Sequence, residues 1–343
     1  MMKKSFWSIA LIPIFGLVFT SCGEKPDGEN AESNKAAKKR FAFVTNGVAD
    51  FWTIAEAGAN AGAAEAGVEA TVLMPAGGIT DQKQMLEDLV TRGVDGIAVS
   101  PIDPANQTGI LNRAAEVMPM ITHDSDAPDS KRLLYIGMDN YTAGRMCGDL
   151  VKEVLPDGGE IMIMIGRMEQ DNAKRRRQGV IDSLMERSVD STRFDPPGEK
   201  ITGDKFTVLG TLTDQFDRAK AKANAEDTLS RYPDVDAMVG LFAYNPPAIL
   251  QALEQAGKLN IVQVIAFDED SETLAGIQAG TVHGTVVQNP YMYGKKSIEV
   301  LAAIDKGDLS VIPESKFIDI PARQIRKDKV DAFWDDLKKK TGK

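Results

Sequence analysis

The chain has 343 residues, 43% of them hydrophobic, with 40 Lys and Arg against 50 Asp and Glu, two His and only two Cys. A formal net charge of −10 excludes the clustered basic surface on which nucleic-acid binding depends, and so few cysteines exclude a disulfide-built scaffold. What remains is a globular chain long enough for one large domain or two of moderate size.

The first 22 residues are an export signal in pattern. Lys3 and Lys4 precede an apolar run from Phe6 to Phe19, interrupted only by Ser8, Pro13 and Gly16, and Phe19-Thr20-Ser21-Cys22 ends it. Positive, apolar and small-polar regions in that order make a secretory signal peptide. About 14 apolar residues are too few for the roughly 20 that span a bilayer. The cysteine at the cleavage point matches a bacterial lipoprotein signal, so that residues 1–21 are removed and Cys22, lipidated on sulfur, begins the mature chain. The expectation is a periplasmic or cell-surface protein held to a membrane by that lipid. Residues 23–40, GEKPDGENAESNKAAKKR, hold no large apolar side chain and read, with Cys22, as a flexible tether.

From Phe41 short β-rich runs alternate with longer helical patterns. The first series is FAFVTN (41–46), ATVLMP (70–75), GIAVSP (96–101), MITH (120–123) and LLYIG (133–137). The second is IMIMIG (161–166), FTVLGTL (206–212), AMVGLF (237–242), IVQVIAF (261–267) and VHGTVVQ (282–288). Helical patterns between them include 51–67, 81–92, 172–187, 216–231 and 248–256, with Gly67, Gly93 and Gly257 where helix C-termini favour glycine. Strands apolar on both faces, alternating with helices, predict parallel sheets covered on both sides. Two series of strands predict an α/β chain of two doubly wound, Rossmann-like lobes. Cys147, among small residues, is expected to be a buried apolar side chain.

Open parallel sheets bind ligands beyond the carboxyl ends of their strands. The residues there are Asn46, Asp50, Phe51 and Trp52 after the first run, and Asp124, Ser125 and Asp126 after MITH. Asn172 and Arg176, one helical turn apart, follow IMIMIG. Gln215 and Phe216, Tyr244 and Asn245, Asp268, and Gln288 with Asn289 complete the series. Carboxylates, amides, one Arg and aromatic rings together suit a neutral polyhydroxyl ligand. Asp and Asn bridge neighbouring hydroxyls, Arg donates several bonds to one cluster of oxygens, and rings cover the C–H face of a sugar.

The stretches Asp50-Phe51-Trp52, ITHDSD (121–126), Asn172-Ala173 with Arg176 and Gly179, Asp214-Gln215-Phe216-Asp217-Arg218, FAYN (242–245), AFDED (266–270) and VVQNP (286–290) together carry a resemblance. In their order and spacing the chain resembles the periplasmic sugar-binding proteins of ABC transporters, the ribose-binding type, from Phe41 to about Asp331. The resemblance implies the type I periplasmic binding protein fold, two lobes joined by a three-segment hinge, with crossings near Asp139-Asn140, near Asn289-Pro290 and around Glu314–Phe317. One lobe would hold 41–139 and 290–316, the other 140–289 and 317–343. It implies that Phe51, Trp52 and Phe216 sandwich a sugar while Asp124, Arg176, Asn245, Asp268 and Gln288 bond its hydroxyls. It also implies a monomer that needs no cofactor or metal and delivers a monosaccharide or polyol to a membrane permease. Ser125 stands where the ribose binders have Arg, and Ala49 where they have Asn, so the resemblance carries a sugar or polyol in general without singling out ribose.

Two other classes share parts of this pattern. A secreted sugar-processing enzyme would need paired carboxylates, for which Asp124 with Asp126 or Asp268 with Asp270 are the candidates, but no nucleophile elbow, phosphate loop or zinc motif accompanies them. A sensory protein presenting its bound ligand to a chemoreceptor or kinase would have the same lobes. The spacing Asp124-x-Asp126-x-x-Asp129 fails as a calcium loop because Pro128 breaks it and the turn glycine is missing. His123 is expected either to border the ligand space or to be packed in the core.

Overall fold

The first strand shows why this chain builds covered parallel sheets. In β1 (Arg40–Val44), Phe41 and Phe43 point to one layer of helices while Ala42 and Val44 point to the other, and all four are buried. Period-two alternation with both faces apolar allows burial only between two helical layers. The structure, a computed structural model, describes residues 37–341. The export signal, Cys22 and all but the end of the tether lie outside the described residues.

After β1 the chain runs through α1 (Asp50–Ala66), β2 (Glu69–Leu73), α2 (Ile79–Arg92), β3 (Gly96–Val99), α3 (Pro104–Val117), β4 (Met120–His123) and β5 (Tyr135–Gly137). It continues through α4 (Asn140–Val154), β6 (Gly159–Ile165), α5 (Asp171–Leu184), β7 (Ile201–Thr202), β8 (Phe206–Thr213), α6 (Arg218–Arg231), β9 (Ala237–Gly240) and α7 (Asn245–Gln255). Then come β10 (Gln263–Phe267), α8 (Ser271–Ala279), β11 (Gly284–Val287), α9 (Pro290–Asp305), β12 (Phe317–Asp319), β13 (Arg323–Arg326) and α10 (Val330–Thr341).

These strands form two sheets, in the orders β12-β5-β4-β3-β1-β2 and β13-β11-β10-β9-β6-β8-β7. The first is parallel throughout. The second is parallel except at its edges, where β13 and β7 run antiparallel to their neighbours. Strand order reverses between β1 and β3 and again between β6 and β9, the switch points at which a doubly wound sheet opens a crevice. In β6, Ile161, Ile163 and Ile165 pack with α4 and α5, and Met162 and Met164 pack with α6 to α8.

Each lobe contains one helix pair in unusually close contact. A Cβ built on Gly144 of α4 would lie 2.1 Å from the Arg176 carbonyl oxygen of α5, and one on Gly179 of α5 would lie 2.1 Å from the Tyr141 carbonyl oxygen. Only glycine lets these backbones touch. The α4–α5 seam therefore fixes the depth at which Arg176 sits.

The chain passes between sheets three times: at Met138-Asp139, at Gln288-Asn289 and at 320–322. The third differs from the expectation that FIDIPARQI as a whole joins the second lobe. Phe317–Asp319 pairs in parallel with Tyr135–Gly137 of the first sheet, and the Phe317 ring stacks on Tyr135 at 5.4 Å. Pro321 lies in the break, where it has no ladder hydrogen bond to lose.

Candidate functional site

A cavity of about 500 Å³ lies at the carboxyl ends of both sheets, within the size range of small-molecule sites. From the first lobe come Asn46, Phe51, Trp52 and Asp124. From the second come Asn172, Arg176, Phe216, Asp268 and, at the second crossing, Gln288.

Asp124 is a buried acceptor on its wall. Its Oδ2 accepts from Ser100 Oγ at 2.9 Å, Asn46 Nδ2 at 3.1 Å and Asn172 Nδ2 at 3.2 Å, and its Oδ1 lies 3.7 Å from Arg176 Nη2. Asn172 and Arg176 belong to α5 of the opposite lobe, so Asp124 ties the lobes together across the cavity. Burial pushes the Asp124 carboxyl above its ordinary value, and Arg176 and the three donors pull it back. Asp268 behaves alike: burial raises it, while Arg176 and the Gln288 amide, 2.7 Å from Oδ1, oppose the rise.

Arg176 is almost fully buried and carefully held. Nε donates to Asn140 Oδ1 at 2.9 Å, Nη1 donates to the Leu241 carbonyl at 3.2 Å, and the guanidinium carbon sits 4.3 Å from the Phe267 ring centroid. Nη2 is shielded from solvent and makes no hydrogen bond, as is Asn172 Oδ1. A donor and an acceptor are thus left unpartnered beside the cavity, on groups whose other polar atoms are fixed.

The aromatic walls are built separately. Phe51 and Trp52 open α1 and meet edge to face at 4.8 Å. Opposite them Phe216 stacks on Phe242 at 5.6 Å. Phe216 is raised by a strained loop, with Gln215 and Phe216 at φ of 60° and 66°. Asp214 holds that loop: it accepts from the Phe216 amide at 2.9 Å, from Asn245 Nδ2 at 2.8 Å and from the Tyr244 hydroxyl. Asp124 and Asp268 are also left-handed, at 57° and 69°. Such backbone is rare outside glycine and concentrates at functional sites.

Five of the candidate residues are not on the cavity wall: Asp50, Ser125, Asp126, Asn245 and Asn289, the last of which caps α9. Asp50 is exposed at the start of α1. Ser125 is buried beneath the loop, its amide donating to Ser100 Oγ at 3.3 Å. Asn245 uses both ends of its amide locally, donating to Asp214 and accepting from the Phe242 amide at 3.0 Å. His123 is packed in the core. It stacks on Phe43 at 3.9 Å and Nε2 faces the Val44 carbonyl at 3.2 Å, so Nε2 carries the proton. Burial pulls its pKa down to about 3.

The carboxylates offered for acid–base work are not paired in the cavity. Asp126 accepts from Arg132 and Thr122, each at 2.6 Å, and Asp270 caps α8. Cys147 is buried and its thiol is pushed far above the ordinary range. Among the described residues no group of three or more His, Cys, Asp or Glu is arranged for a metal.

Other lining residues escaped the sequence reading as site residues: Arg167, Arg218, Phe242 and the loop Pro75–Gly78. All follow or end strands, so the rule that found Asn46 applies to them as well. Arg167 directly follows IMIMIG, and Pro75 directly follows ATVLM. Ser100 and Asn140, which position Asp124 and Arg176, likewise lie just past β3 and β5.

A family profile described as "Periplasmic binding protein domain" matches residues 41–308. The ribose import binding protein RbsB of Bacillus subtilis (strain 168) is 26% identical over 305 residues, which cover 87% of this chain and 92% of the relative. Among solved structures, GanP, a glucose-galactose binding protein from Geobacillus stearothermophilus, is similar with a TM-score of 0.76 at 26% identity, over 85% of this chain and 98% of its own. A solute-binding protein from Burkholderia graminis C4D1M in complex with D-arabinose reaches a TM-score of 0.77 at 27% identity, over 86% of this chain and 97% of its own.

Proposed function

The chain belongs to the periplasmic binding protein family, and from that premise we propose that it is the substrate-binding component of a carbohydrate importer of the ABC type. Its cleft takes a monosaccharide or related polyol. The lobes close on the ligand by bending at the three crossings, and the closed form delivers the sugar to a membrane permease. Lipid on Cys22 and the tether to residue 40 hold the protein at the membrane.

The observation that carries this reading is the meeting of Asp124 from one lobe with Asn172 and Arg176 from the other, between aromatic walls. Asp124, Asp268 and Gln288 accept from or bridge ring hydroxyls, and Arg176 donates. Phe51, Trp52 and Phe216 cover the apolar ring face. Hydrogen bonds involving charged groups contribute about 1.5–3 kcal/mol each, so a few of them with ring burial reach the roughly −8 to −12 kcal/mol of micromolar to nanomolar binding. The names of the ribose import binding protein and the D-arabinose-bound solute-binding protein support the ligand class.

A thermal-shift screen against pentoses, hexoses, polyols and their acid derivatives tests it, since a ligand that binds only the folded state raises its stability by mass action. One sugar or a narrow group of them should raise the melting temperature by several degrees. A folded protein indifferent to the whole library would sink the proposal.

A further inference from the structure

We infer that the outer part of the cleft is a subsite for a negatively charged group on the ligand, so that the cargo is an acidic sugar, one bearing a carboxylate or a sulfate. The inference rests on the sugar-binding reading above and narrows its ligand class.

The charges around the cavity are sorted by depth. At its base Asp124, Asp268 and Arg176 are exposed by 5% or less. Arg176 stands 3.7 Å from one carboxylate and its charge acts on the other. An anion placed there would meet two like charges against one cation, so this end accepts hydroxyls. Toward solvent the balance among the lining residues reverses. Arg167 is half-buried just after β6, Arg218 is exposed at the start of α6, and both line the cavity.

Neither outer guanidinium forms a salt bridge among the described residues. Each lies over a ring instead: Arg167 is 4.9 Å from the Phe216 centroid and Arg218 is 5.8 Å from that of Tyr244. Arg167 Nε is shielded from solvent and has no hydrogen-bond partner. Asp270, with Asp50 near it, lies in the field of Arg218 but not in ion-pair contact. The facing wall of the first lobe, Pro75-Ala76-Gly77-Gly78, supplies no charge. A Cβ built on Gly78, whose φ is 69°, would come 3.5 Å from Arg167 Nη2, so this uncharged loop lies directly against the guanidinium. The acid closest in sequence, Asp81, is turned back to accept from the Gly77 amide at 3.1 Å.

A planar guanidinium held over a ring, without a carboxylate of its own, is a fork for a carboxylate or sulfate. A sugar with its hydroxyls against Asp124 and Asp268 and its anionic substituent outward would satisfy both ends of the cavity. A neutral sugar would leave Arg167 and Arg218 without a counter-charge.

Titration calorimetry on the intact protein, with each neutral hexose and pentose beside its uronic or aldonic acid and its sulfate ester, separates the outcomes. We expect at least one acid to bind about tenfold or more tightly than its neutral parent, with affinity that falls more steeply with added salt. Arg167→Gln, and the double variant with Arg218→Gln, should shrink that ratio toward one. Uronate and sulfate arms report which anion is preferred. Neutral sugars that bind as well as or better than their acids, or a ratio unmoved in the variants, would overturn this inference and leave sugar binding standing. No binding by any member of either series would overturn both.

Discussion

Arg176 is the residue on which both lobes converge, and its replacement gives the sharpest test of the cleft. Arg176→Met keeps the stem but leaves Asp124 and Asp268 facing each other without a cation between them. Sugar affinity should fall at least about a hundredfold, read by titration, while the fold persists in the circular dichroism spectrum. Two buried groups off the cavity wall give pH signatures of opposite sign. Glu269 is pushed well above its ordinary value, first by burial and then by the charge of Asp268. A carboxyl raised in the folded state contributes most below its unfolded pKa and loses that contribution as pH rises. Glu269→Gln should therefore raise the melting temperature near neutral pH by about 2–4 °C, with the gain fading as the solution is acidified. His123 works the other way. Its folded pKa of about 3 lies below the unfolded value, so the unfolded chain takes up a proton that the folded one refuses, and stability falls as pH drops below about 6.5. His123→Gln, which keeps a donor for Val44, should flatten that part of the profile in urea titrations at successive pH values.

Helices and strands were legible to unequal degrees. IMIMIG could be read as a buried strand because both of its faces are apolar, and β6 occupies that run. The helix α4, by contrast, contains Gly144 and Gly148 in NYTAGRMCGDL, residues that weaken a helical pattern and in sequence are only small neighbours of Cys147. Their reason is the α5 backbone against them, which no local pattern announces. Asn245 makes the same point within the site. Its place after a strand is legible, but its orientation is decided by Asp214, thirty-one residues earlier in the chain. The α4–α5 seam can be tested directly. Gly144→Ala forces a methyl against the Arg176 carbonyl and should cost about 1–3 kcal/mol of stability while weakening sugar binding, because Arg176 and Asn172 move with α5. Gly109→Ala is its control. That glycine lies inside α3 with nothing within 4 Å of the added carbon, so the substitution should stabilise by about 0.5–1 kcal/mol. Denaturant midpoints for the two variants should shift in opposite directions.

Across the whole molecule, the doubly wound pattern was readable from alternating buried runs and helices, whereas the route between the sheets was not. FIDIPARQI looks like one β-rich segment, and only the pairing of Phe317–Asp319 with β5 and of Arg323–Arg326 with β11 divides it. Bending at the three crossings predicts that a bound sugar lowers the radius of gyration in small-angle scattering and changes the emission of Trp52, which lines the cavity. Binding without either change would argue for a cleft of fixed width. The third crossing also has a consequence for how the chain folds. The first sheet draws its last strand from residues 317–319, so its β5 edge stays bare until nearly all of the polypeptide is available. A chain released in order from its N-terminus can assemble most of the second sheet before the first is complete. Closing the first sheet is then a long-range event of high contact order, and the slow step of folding should be felt where β5 meets β12, a strand from the far end of the chain.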